Sequence, residues 1–348
     1  MKFSTSLSHT PYPISHIPYP LSLIPYPLSL GVVGATGLVG EKLLKILEER
    51  NIFPEKLFLY ASEKSLDKEI IFNKRVYPII PLSDDFINDD WDVLFFSAGK
   101  EIALKYAPKA LGKARLIIDN SPAFRMEDNI PLVVPQVNGE LLNSYKGIIA
   151  NPNCTTIQLV IILSILQKKF GLKSVNVSTY QAVSGAGKKR LMYLETNGLD
   201  GSGFEREIIN NLIPKIGDIA DEYYFTEEEK IIRESRKILS LPNLKITSTC
   251  VRVPIKYGHS ESVTVELEKE SSYEEIFNEL IKEKIVRLPE NRDFFTPLDC
   301  EDNDFIYVSR LRRAFSDNRF WNLFIISDNL RRGAAANAVD ILEYWVKR

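Results

Sequence analysis

Short apolar runs alternate with amphipathic stretches along the first part of the chain. Apolar runs occupy residues 28–33, 57–60, 93–96 and 116–119. Runs of this length indicate buried strands, whereas the 41–50 segment repeats its leucines and isoleucine at helical spacing. Because strands that alternate with helices form parallel sheets, the pattern predicts an α/β fold with a Rossmann-type parallel sheet in the N-terminal part.

The pattern changes after residue 150. Residues 158–169 predict a strongly apolar helix, and residues 175–180 and 246–252 predict further strands. The total of 348 residues fits about two domains. A helix carrying Glu227 and Lys230 is also expected, where the spacing of three puts both side chains on one face.

The first residues differ from the rest. Residues 10–30 read TPYPISH, IPYPLSL and IPYPLSL, which are three seven-residue units with two prolines each. Proline lacks the backbone donor that a helix needs, so residues 1–27 are interpreted as a low-complexity extended arm. A targeting segment is the weaker alternative, since Lys2 is the only basic residue before Gly31 and no continuous apolar stretch follows it.

A glycine-rich turn joins the first strand to the first helix. Gly34, Gly37 and Gly40 have the form G-x-x-G-x-x-G. Such glycines let the backbone approach a pyrophosphate closely, and the helix that follows offers free N–H groups to the anion. The motif therefore predicts a dinucleotide site, and a plain turn is the alternative.

The loop after the second strand bears on the choice of cofactor. In a dinucleotide fold this loop meets the adenosine ribose, where an acid favours NAD and a cation with hydroxyls favours NADP. Ser62, Lys64 and Ser65 favour NADP, whereas Glu63 points the other way. We predict NADP.

Composition excludes several classes of protein. There are 44 Lys and Arg residues against 46 Asp and Glu, for a net charge of −2. A dedicated nucleic-acid-binding protein usually has a basic surplus, so we expect no nucleic-acid partner. No apolar run reaches the roughly 18 residues of a membrane span, so we expect no membrane partner.

The three cysteines favour a reducing compartment. They are widely spaced and form no C-x-x-C pair. A disulfide scaffold and a zinc site are therefore not expected, and no metal is predicted. These observations favour the cytoplasm.

Cys154 is the candidate nucleophile. It follows Asn151, Pro152 and Asn153 near the start of the apolar helix, where the positive end of the helix dipole is expected to lower the pKa of a thiol. A buried structural cysteine is the alternative. Cys250 lies in a predicted strand and Cys300 in an acidic loop.

His259 is the candidate partner of this thiol. It is the only histidine outside the arm, since His9 and His16 fall within it. Arg252 lies seven residues earlier, and Glu261 could orient the imidazole ring. A cysteine, a histidine and an arginine together suit covalent chemistry on an anionic carbonyl compound. A surface histidine is the alternative.

Further candidate sites lie elsewhere. Arg125 follows a sheet strand where ligand crevices form, and is a candidate anion site. Glu227 and Lys230 share a helix face, for which a surface ion pair is the alternative. A second glycine-rich turn spans residues 181–188, for which a plain loop is the alternative.

The motifs, taken in order, resemble the aspartate-semialdehyde dehydrogenase family from about Gly31 to Arg348. The matching strings are GVVGATGLVG, DNSPAFRM, PLVVPQVN, NPNCTTIQ, TYQAVSGAG, CVRVP, GHSESV and SDNLRRGAAANAV. The resemblance implies a Rossmann-type NADP-binding domain over residues 28–153 and an α+β catalytic and dimerisation domain over residues 154–328. It also implies that a final helix, roughly residues 333–347 within a 329–348 segment, packs back on the first domain.

The resemblance implies roles for individual residues. The catalytic residues would be Cys154, His259 and Gln181. Substrate would be bound by Arg252, Glu227, Arg125, Lys230 and Asn153. Cofactor contacts would come from Gly34, Thr36, Gly37, Leu38, Val39, Ser62, Lys64, Ser65, Ser97, Gly99, Ser184, Gly185 and Asn329. The arm has no counterpart in the family, and Lys64 after Glu63 departs from the arginine often found at that loop.

The activity implied is the reversible, NADP-dependent conversion of aspartyl 4-phosphate to aspartate 4-semialdehyde through a thioester on Cys154. It would serve lysine, diaminopimelate, threonine, methionine and isoleucine biosynthesis, in a homodimer acting on a small-molecule substrate. Two alternatives stay open: an N-acyl-glutamyl-phosphate reductase, and a dinucleotide-binding regulator without catalytic activity.

Overall fold

A computed structural model describes residues 28–290 and 293–347. The predicted arm, residues 1–27, lies outside the described residues. The description therefore begins at Leu28, one residue before the first strand.

A six-stranded parallel sheet forms the centre of the N-terminal part. The strands of this part are β1 (Ser29–Val33), β2 (Lys56–Ala61), β3 (Glu69–Phe72), β4 (Arg75–Pro78), β5 (Ile80–Pro81), β6 (Trp91–Phe96), β7 (Ala114–Asp119) and β8 (Gly147–Ala150). The sheet has the order β5-β2-β1-β6-β7-β8, while β3 and β4 form a separate antiparallel hairpin. The predicted parallel α/β sheet is confirmed, and the four predicted strands are β1, β2, β6 and β7.

The strand order reverses between β1 and β6. Strands β2 and β5 lie on one side of β1, whereas β6, β7 and β8 follow one another on its other side. Open parallel sheets bind ligands at the carboxyl ends of the strands where the order reverses. The first glycine turn, directly after β1, lies at this point.

Helices flank this sheet. They are α1 (Leu38–Glu49), α2 (Lys100–Tyr106) and α3 (Pro135–Asn138). Helix α1 begins at Leu38, three residues before the predicted start, because the glycine turn continues directly into its first turn. The leucines and isoleucine of α1 at helical spacing are buried, in agreement with the predicted inward face.

A second, mixed sheet forms the centre of the C-terminal part. Its strands are β9 (Leu172–Gln181), β10 (Lys245–Arg252), β11 (His259–Leu267), β12 (Val286–Arg287), β13 (Ile306–Arg313) and β14 (Phe320–Ser327). Their order is β10-β9-β11-β14-β13-β12, with β9 parallel to β10 and antiparallel to β11. The predicted α+β character of this part is confirmed.

The helices of the C-terminal part are α4 (Cys154–Phe170), α5 (Lys188–Glu195), α6 (Thr226–Leu239), α7 (Tyr273–Leu280) and α8 (Pro297–Cys300). Helix α4 is apolar on nearly all sides and is buried over most of its length, as expected for a helix enclosed by other elements. It begins at Cys154, not at residue 158. Cys300 also differs from expectation, since it is fully buried at the end of a single helical turn.

The last helix packs on the N-terminal part. A π-helical segment, Arg331–Ala335, runs directly into α9 (Ala336–Val346). Val339 and Leu342 of α9 share a buried core with Leu43 and Leu47 of α1. The α-helix starts three residues later than the expected residue 333, because the preceding turn is widened into a π-helix.

Candidate active site

The glycine turn brings β1 and β6 close together. Gly34 has a φ of +88°, and a Cβ atom there would lie 2.6 Å from the carbonyl oxygen of Ser97, which follows β6. A Cβ atom at Gly40 would lie 2.3 Å from the carbonyl oxygen of Gly34. Glycine is thus required for this turn and for the packing of α1 on it. Gly99 has a φ of +93° and borders open space at the start of α2.

The first turn of α1 is free to receive an anion. Its N-cap residue is Gly37, so no side chain caps the helix. The N–H groups of Leu38 and Val39 lie in the first turn, where an α-helix supplies no internal acceptor. Free N–H groups at the positive end of the helix dipole suit a pyrophosphate.

The predicted ribose loop lies beside this turn. Ser62 precedes a short 3₁₀ turn, Glu63–Ser65, and Ser65 is buried while Lys64 is exposed. The hydroxyl of Thr36 donates to Oγ of Ser65 over 3.3 Å, which joins the glycine turn to this loop. The structure therefore brings Thr36, Ser65 and their neighbours together at one edge of the sheet.

Cys154 occupies the first position of α4. Asn153 caps the helix, since its side-chain oxygen accepts from the N–H of Thr155 at 3.0 Å. The amide nitrogen of the Asn153 side chain donates to Oε1 of Glu227 over 2.9 Å. The cap therefore ties the nucleophile's helix to α6.

Glu227 is the centre of a polar cluster. Its Oε1 also accepts from the side chain of Gln181 at 3.1 Å, and its Oε2 lies 2.9 Å from Nζ of Lys230. Burial alone would raise the pKa of Glu227, but Lys230 and the hydrogen bonds from Asn153 and Gln181 outweigh this and lower it to about 2. Glu227 is buried and Lys230 partly buried, so the pair is not an exposed surface ion pair.

The expected low pKa of Cys154 is not found. Burial is the main cause that raises the pKa of this thiol to about 12, and the negative charge of Glu227 adds to it. Arg252, Arg125 and Lys230 act in the opposite direction without reversing the shift. The prediction from helix position was wrong for the free protein, because removal of the thiolate from water outweighs the favourable charges.

His259 is fully buried at the start of β11. Its Nδ1 accepts a hydrogen bond from the N–H of Ala182 at 3.0 Å, so the proton of the neutral ring resides on Nε2. Nε2 has no partner among the described residues. Burial and the charge of Arg252 lower the pKa of His259 to about 3.

Glu261 does not orient the imidazole ring, which corrects the expectation. The ring takes its orienting hydrogen bond from the backbone at Ala182, whereas the side chain of Glu261 lies beside Gln158. Burial raises the pKa of Glu261 well above its ordinary value.

Arg252 and His259 both lie beside Gly185. A Cβ atom at Gly185 would come within 3.1 Å of Nε2 of His259 and 3.2 Å of Nη1 of Arg252. Arg252 is held by a 2.6 Å hydrogen bond from Nη1 to the carbonyl oxygen of Ala182. The second glycine-rich turn thus borders the site, and any side chain at Gly185 would press against both polar groups.

Arg125 is paired inside the protein. Its Nη1 lies 3.0 Å from Oε1 of Glu234, and its Nε donates to the carbonyl oxygen of Asn151 at 2.9 Å. Oε2 of Glu234 in turn accepts from the N–H of Asn153 at 2.7 Å. Arg125 therefore supports the loop before Cys154, and Glu234 is a buried acid that sequence reasoning missed.

Ser184 and Asn329 meet near the same site. The side chain of Asn329 donates to Oγ of Ser184 at 2.9 Å and accepts from the N–H of Gly258 at 3.0 Å. Asn329 thereby joins the segment after β14 to the residue before His259. Thus Asn329 lies beside Ser184, although the two are 145 residues apart in the chain.

Gln158 is a second residue that sequence reasoning missed. It lies one turn after Cys154 in α4, its Nε2 donates to the carbonyl oxygen of His259 at 3.4 Å, and its Oε1 accepts from Ser327. A fully buried glutamine in an otherwise apolar helix was the signal that could have found it.

Neither a metal cluster nor a membrane-spanning helix occurs in the part of the chain that the structure describes. Within residues 28–290 and 293–347, no three His, Cys, Asp or Glu residues come together as a possible metal site. In the same ranges, no helix combines the length and apolar character needed to cross a membrane.

Comparison with protein families matches both parts of the chain. A family described as semialdehyde dehydrogenase, NAD binding domain, matches residues 29–145. A family described as semialdehyde dehydrogenase, dimerisation domain, matches residues 163–332. The aspartate-semialdehyde dehydrogenase of Aquifex aeolicus is 41% identical over 333 residues, which cover 91% of this chain and 98% of that protein.

The chain belongs to the aspartate-semialdehyde dehydrogenase family. The Bacillus subtilis aspartate-semialdehyde dehydrogenase is 38% identical over 333 residues, covering 90% of this chain and 96% of the relative. A crystal structure of aspartate semialdehyde dehydrogenase II from Vibrio cholerae, complexed with ASA, matches with a TM-score of 0.88 and 37% identity. That match covers 92% of this chain and 99% of the solved chain.

Membership of the aspartate-semialdehyde dehydrogenase family confirms two expectations from the sequence. The family resemblance was correct, and so was the pairing of a parallel-sheet NAD-binding domain with a second domain that has a mixed sheet. The chain is therefore an oxidoreductase of this family.

Proposed function

We propose that this chain catalyses the reversible, NADP-dependent conversion of aspartyl 4-phosphate to aspartate 4-semialdehyde through a thioester on Cys154. The observation that carries the proposal is the side-by-side arrangement of His259 and Arg252 across Gly185, with the charges of Arg252 and Glu227 acting on Cys154. A thiol, a neutral donor and a guanidinium match an anionic acyl substrate. The reaction belongs to a route for amino-acid biosynthesis.

NADP fits the crevice between β1 and β6. The uncapped first turn of α1 suits its pyrophosphate, with Thr36, Gly37, Leu38 and Val39 as the contacting residues. Ser62, Lys64 and Ser65 suit a 2′-phosphate on the adenosine ribose. Ser97, Gly99, Ser184, Gly185 and Asn329 complete the contacts. When bound, the nicotinamide supplies or accepts the hydride.

Arg252 binds the α-carboxylate of the aspartyl substrate, and Glu227 binds its ammonium group. Arg252 can grip the α-carboxylate with two parallel hydrogen bonds, which a lysine would not reproduce. Glu227 is ionised, because its pKa is lowered to about 2, and it can accept from the substrate ammonium group. Gln181, whose amide is already held by Glu227, orients the carbonyl group beside Cys154.

Cys154 carries the acyl group between the two half-reactions. In the biosynthetic direction the sulfur of Cys154 attacks the acyl carbon of aspartyl phosphate, a C–S bond forms, the C–O bond to phosphate breaks, and the thiol proton leaves with the phosphate. The thioester then gains a hydride, which gives a tetrahedral hemithioacetal oxyanion. This oxyanion collapses to the aldehyde as the C–S electrons return to the sulfur of Cys154, which takes up a proton from solvent to restore the thiol.

His259 stabilises the oxyanion as a neutral donor. Because Nδ1 already accepts from Ala182, only Nε2–H can face the substrate oxygen. The hydride steps need no net proton, since the oxygen gains negative charge and then loses it when the C–S bond breaks. A donor aimed at developing charge is sufficient for this task.

Arg125 and Lys230 favour the phosphate group by charge. Lys230 is partly exposed beside Glu227 and can turn toward a phosphate. Arg125 stays paired with Glu234. It contributes through its positive charge and through its hydrogen bond to the carbonyl oxygen of Asn151.

The decisive test is NADPH production from aspartate semialdehyde, with and without inorganic phosphate, in the wild type and in Cys154→Ala. We expect phosphate-dependent turnover in the wild type and none in the variant. No turnover by the wild type, or turnover that survives in Cys154→Ala, contradicts the proposal. Turnover only with N-acyl-glutamate semialdehyde would instead favour the longer acylated substrate.

We also propose a homodimer formed through the open face of the second sheet. Helix α4 packs on the face that carries Val177 and Val263, whereas Ser262 and Tyr180 on the other face are exposed. The ring of Tyr180 lies tilted beside that of Phe324 on this face, with 6.1 Å between the ring centres. A second copy would bury these aromatic groups.

Sedimentation of Ser262→Arg tests this interface, with Glu69→Arg on the exposed hairpin as the control. Ser262 pairs directly with Phe324 on one neighbouring strand and with Ser178 on the other, so an arginine there would disrupt the centre of the face. We expect a monomer for the first variant and a dimer for the second. A dimer in both variants contradicts this interface.

Domain boundaries and location complete the proposal. Residues 28–153, joined by the 329–348 segment, form the cofactor domain, and residues 154–328 form the catalytic and dimerisation domain. The enzyme works in the cytoplasm, in keeping with three cysteines that are free thiols.

A further inference from the structure

The π-helical segment Arg331–Ala335 lies against the first turn of α4. A Cβ atom at Gly333 would lie 2.8 Å from Cβ, 3.1 Å from the carbonyl oxygen and 3.2 Å from Cα of Cys154. The first of these distances is shorter than any ordinary contact between carbon atoms. The backbone of Gly333 therefore touches the candidate nucleophile directly, and no larger residue fits without moving it.

The widened turn is what brings Gly333 to this place. The N–H of Gly333 donates to the carbonyl oxygen of Asp328 at 3.0 Å, and the N–H of Ala335 donates to that of Leu330 at 3.1 Å. Both hydrogen bonds span five residues, which is the π-helical pattern. Such turns are rare and occur frequently at functional sites.

The same region holds the loop that precedes Cys154. The carbonyl oxygen of Ala334 accepts from the side chain of Asn151 at 3.2 Å. The side chain of Asn337, at the start of α9, donates to Oδ1 of Asn151 at 2.7 Å and to the carbonyl oxygen of Val133 at 2.9 Å. Asn151 and Cys154 are thus both held from the C-terminal segment.

Ion pairs hold the other side of the segment, and one of them reaches α1. Arg331 pairs with Glu49 of α1 and lies 2.9 Å from Asp304. Arg332 is fully buried and pairs with Asp340 at 2.7 Å. The segment therefore connects the helix that starts at the cofactor crevice with the residue that carries the acyl group.

We propose that Gly333 and Asn337 are positioning residues that set the place of the Cys154 sulfur relative to the cofactor domain. The proposal rests on the function given above, in which Cys154 carries the acyl group. Covalent catalysis needs the reacting atoms in near-attack geometry, and a misplacement of about 1 Å can lower the rate about 100-fold. The direct contact at Gly333 makes Cys154 sensitive to a single methyl group.

The test is Gly333→Ala, with Gly139→Ala as the matched control. A Cβ atom at Gly139 would also lie 2.8 Å from its nearest neighbour, but that neighbour is the ring of Tyr344 in α9. Both variants overpack the same C-terminal region, and only the first pushes on Cys154. For Gly333→Ala we expect kcat to fall about 10- to 100-fold.

A positioning role predicts three further properties of Gly333→Ala. The KM for aspartate semialdehyde and the Kd for NADPH should stay within about twofold, since the methyl group touches neither binding region. The alkylation rate of Cys154 by iodoacetamide should fall more than about threefold, because the thiol is displaced. Gly139→Ala should match the wild type in all of these measurements.

A folded Gly333→Ala with wild-type kcat and alkylation rate would overturn the proposal, as would an equal loss of kcat in Gly139→Ala. If Gly333→Ala does not fold, Asn337→Ala decides, because it frees Asn151 without adding volume. It should also slow alkylation, and a wild-type rate would reject the proposal. Failure of the proposed function is separate, since it appears as a wild type without turnover.

Discussion

The backbone N–H of Ala182 donates a hydrogen bond to Nδ1 of His259, with 3.0 Å between the two nitrogens. This contact leaves the ring proton on Nε2 and leaves no lone pair free at Nδ1. Burial and the charge of Arg252 lower the pKa of His259 to about 3, which keeps the ring neutral. His259 is thereby prepared as a hydrogen-bond donor.

The first prediction concerns the pH dependence of catalysis. Between about pH 5.5 and 8.5, kcat should show no ionisation with a midpoint near 6.5, the ordinary value for histidine. His259→Ala should lower kcat about 100- to 1000-fold, since it removes a donor to the oxyanion. The measurement is NADPH formation across this range. A clear wild-type midpoint near 6.5 that disappears in His259→Ala contradicts a neutral donor.

The lowered pKa of His259 also predicts how the stability of the protein depends on pH. The folded pKa of His259 is about 3, below that of the unfolded chain, so the unfolded state binds the extra proton first as pH falls. The contribution of this group to stability is complete above about pH 6.5 and declines as pH falls toward 3. Urea unfolding of His259→Gln should show a weaker decline over that window, and an unchanged decline would argue against a buried neutral ring.

A further prediction concerns the reactivity of Cys154. Because Glu227 helps to raise the pKa of this thiol, Glu227→Gln should speed its alkylation by iodoacetamide at pH 8 about three- to tenfold. The same variant should raise the KM for aspartate semialdehyde, since it loses a partner for the substrate ammonium group. Glu229→Gln is the control, because Glu229 lies in the same helix but pairs with Arg233 at the surface. Equal rates in the two variants would show that Glu227 does not affect the thiol.

Lys64 should determine much of the preference for NADP. It is exposed in the predicted ribose loop, and no acidic side chain of the described residues forms an ion pair with it. Lys64→Ala should raise the KM for NADP about tenfold, the loss expected for one charge-assisted hydrogen bond, and leave that for NAD nearly unchanged. Lys68→Ala, at an exposed position just beyond the loop, should change neither value. A parallel rise for both cofactors would assign Lys64 a role unrelated to the 2′-phosphate.

The buried pair of Arg125 and Glu234 predicts a strong effect on stability. Arg125→Met leaves Glu234 buried without its partner, which should lower the free energy of unfolding by about 3–5 kcal/mol. The double variant Arg125→Met with Glu234→Leu should recover most of that loss. Arg233→Met, which breaks an exposed pair, should cost less than about 1 kcal/mol. Urea unfolding measures all three, and a double variant as unstable as the single one would contradict this account.

The local sequence was sufficient to predict the parallel sheet. Apolar runs such as residues 93–96 are buried on both faces of a parallel strand, so their hydrophobicity alone reveals them. The turn containing Gly34 and Gly40 could also be predicted, because a tight turn between a strand and a helix requires residues without a Cβ atom. The candidate residues Cys154, His259 and Arg252 were found because few residue types perform this chemistry.

The electrostatic state of the site could not be predicted in the same way. The position of Cys154 in its helix suggested a lowered pKa, but desolvation raises it to about 12. Desolvation depends on everything packed around the thiol, and those neighbours come from distant parts of the chain. For the same reason Glu261 was expected to orient His259, although the backbone at Ala182 does so.

The sequence by itself therefore determined the elements, the glycine turns and the candidate reactive side chains, because these follow from local periodicity and residue chemistry. Only the tertiary structure decided which groups meet. Glu234 and Arg125 are 109 residues apart, Gln158 and His259 are 101 apart, and Gly333 and Cys154 are 179 apart. Contacts over such separations arise only when separate elements pack together. Their distances, their burial and the pKa values that follow are properties of the packed molecule.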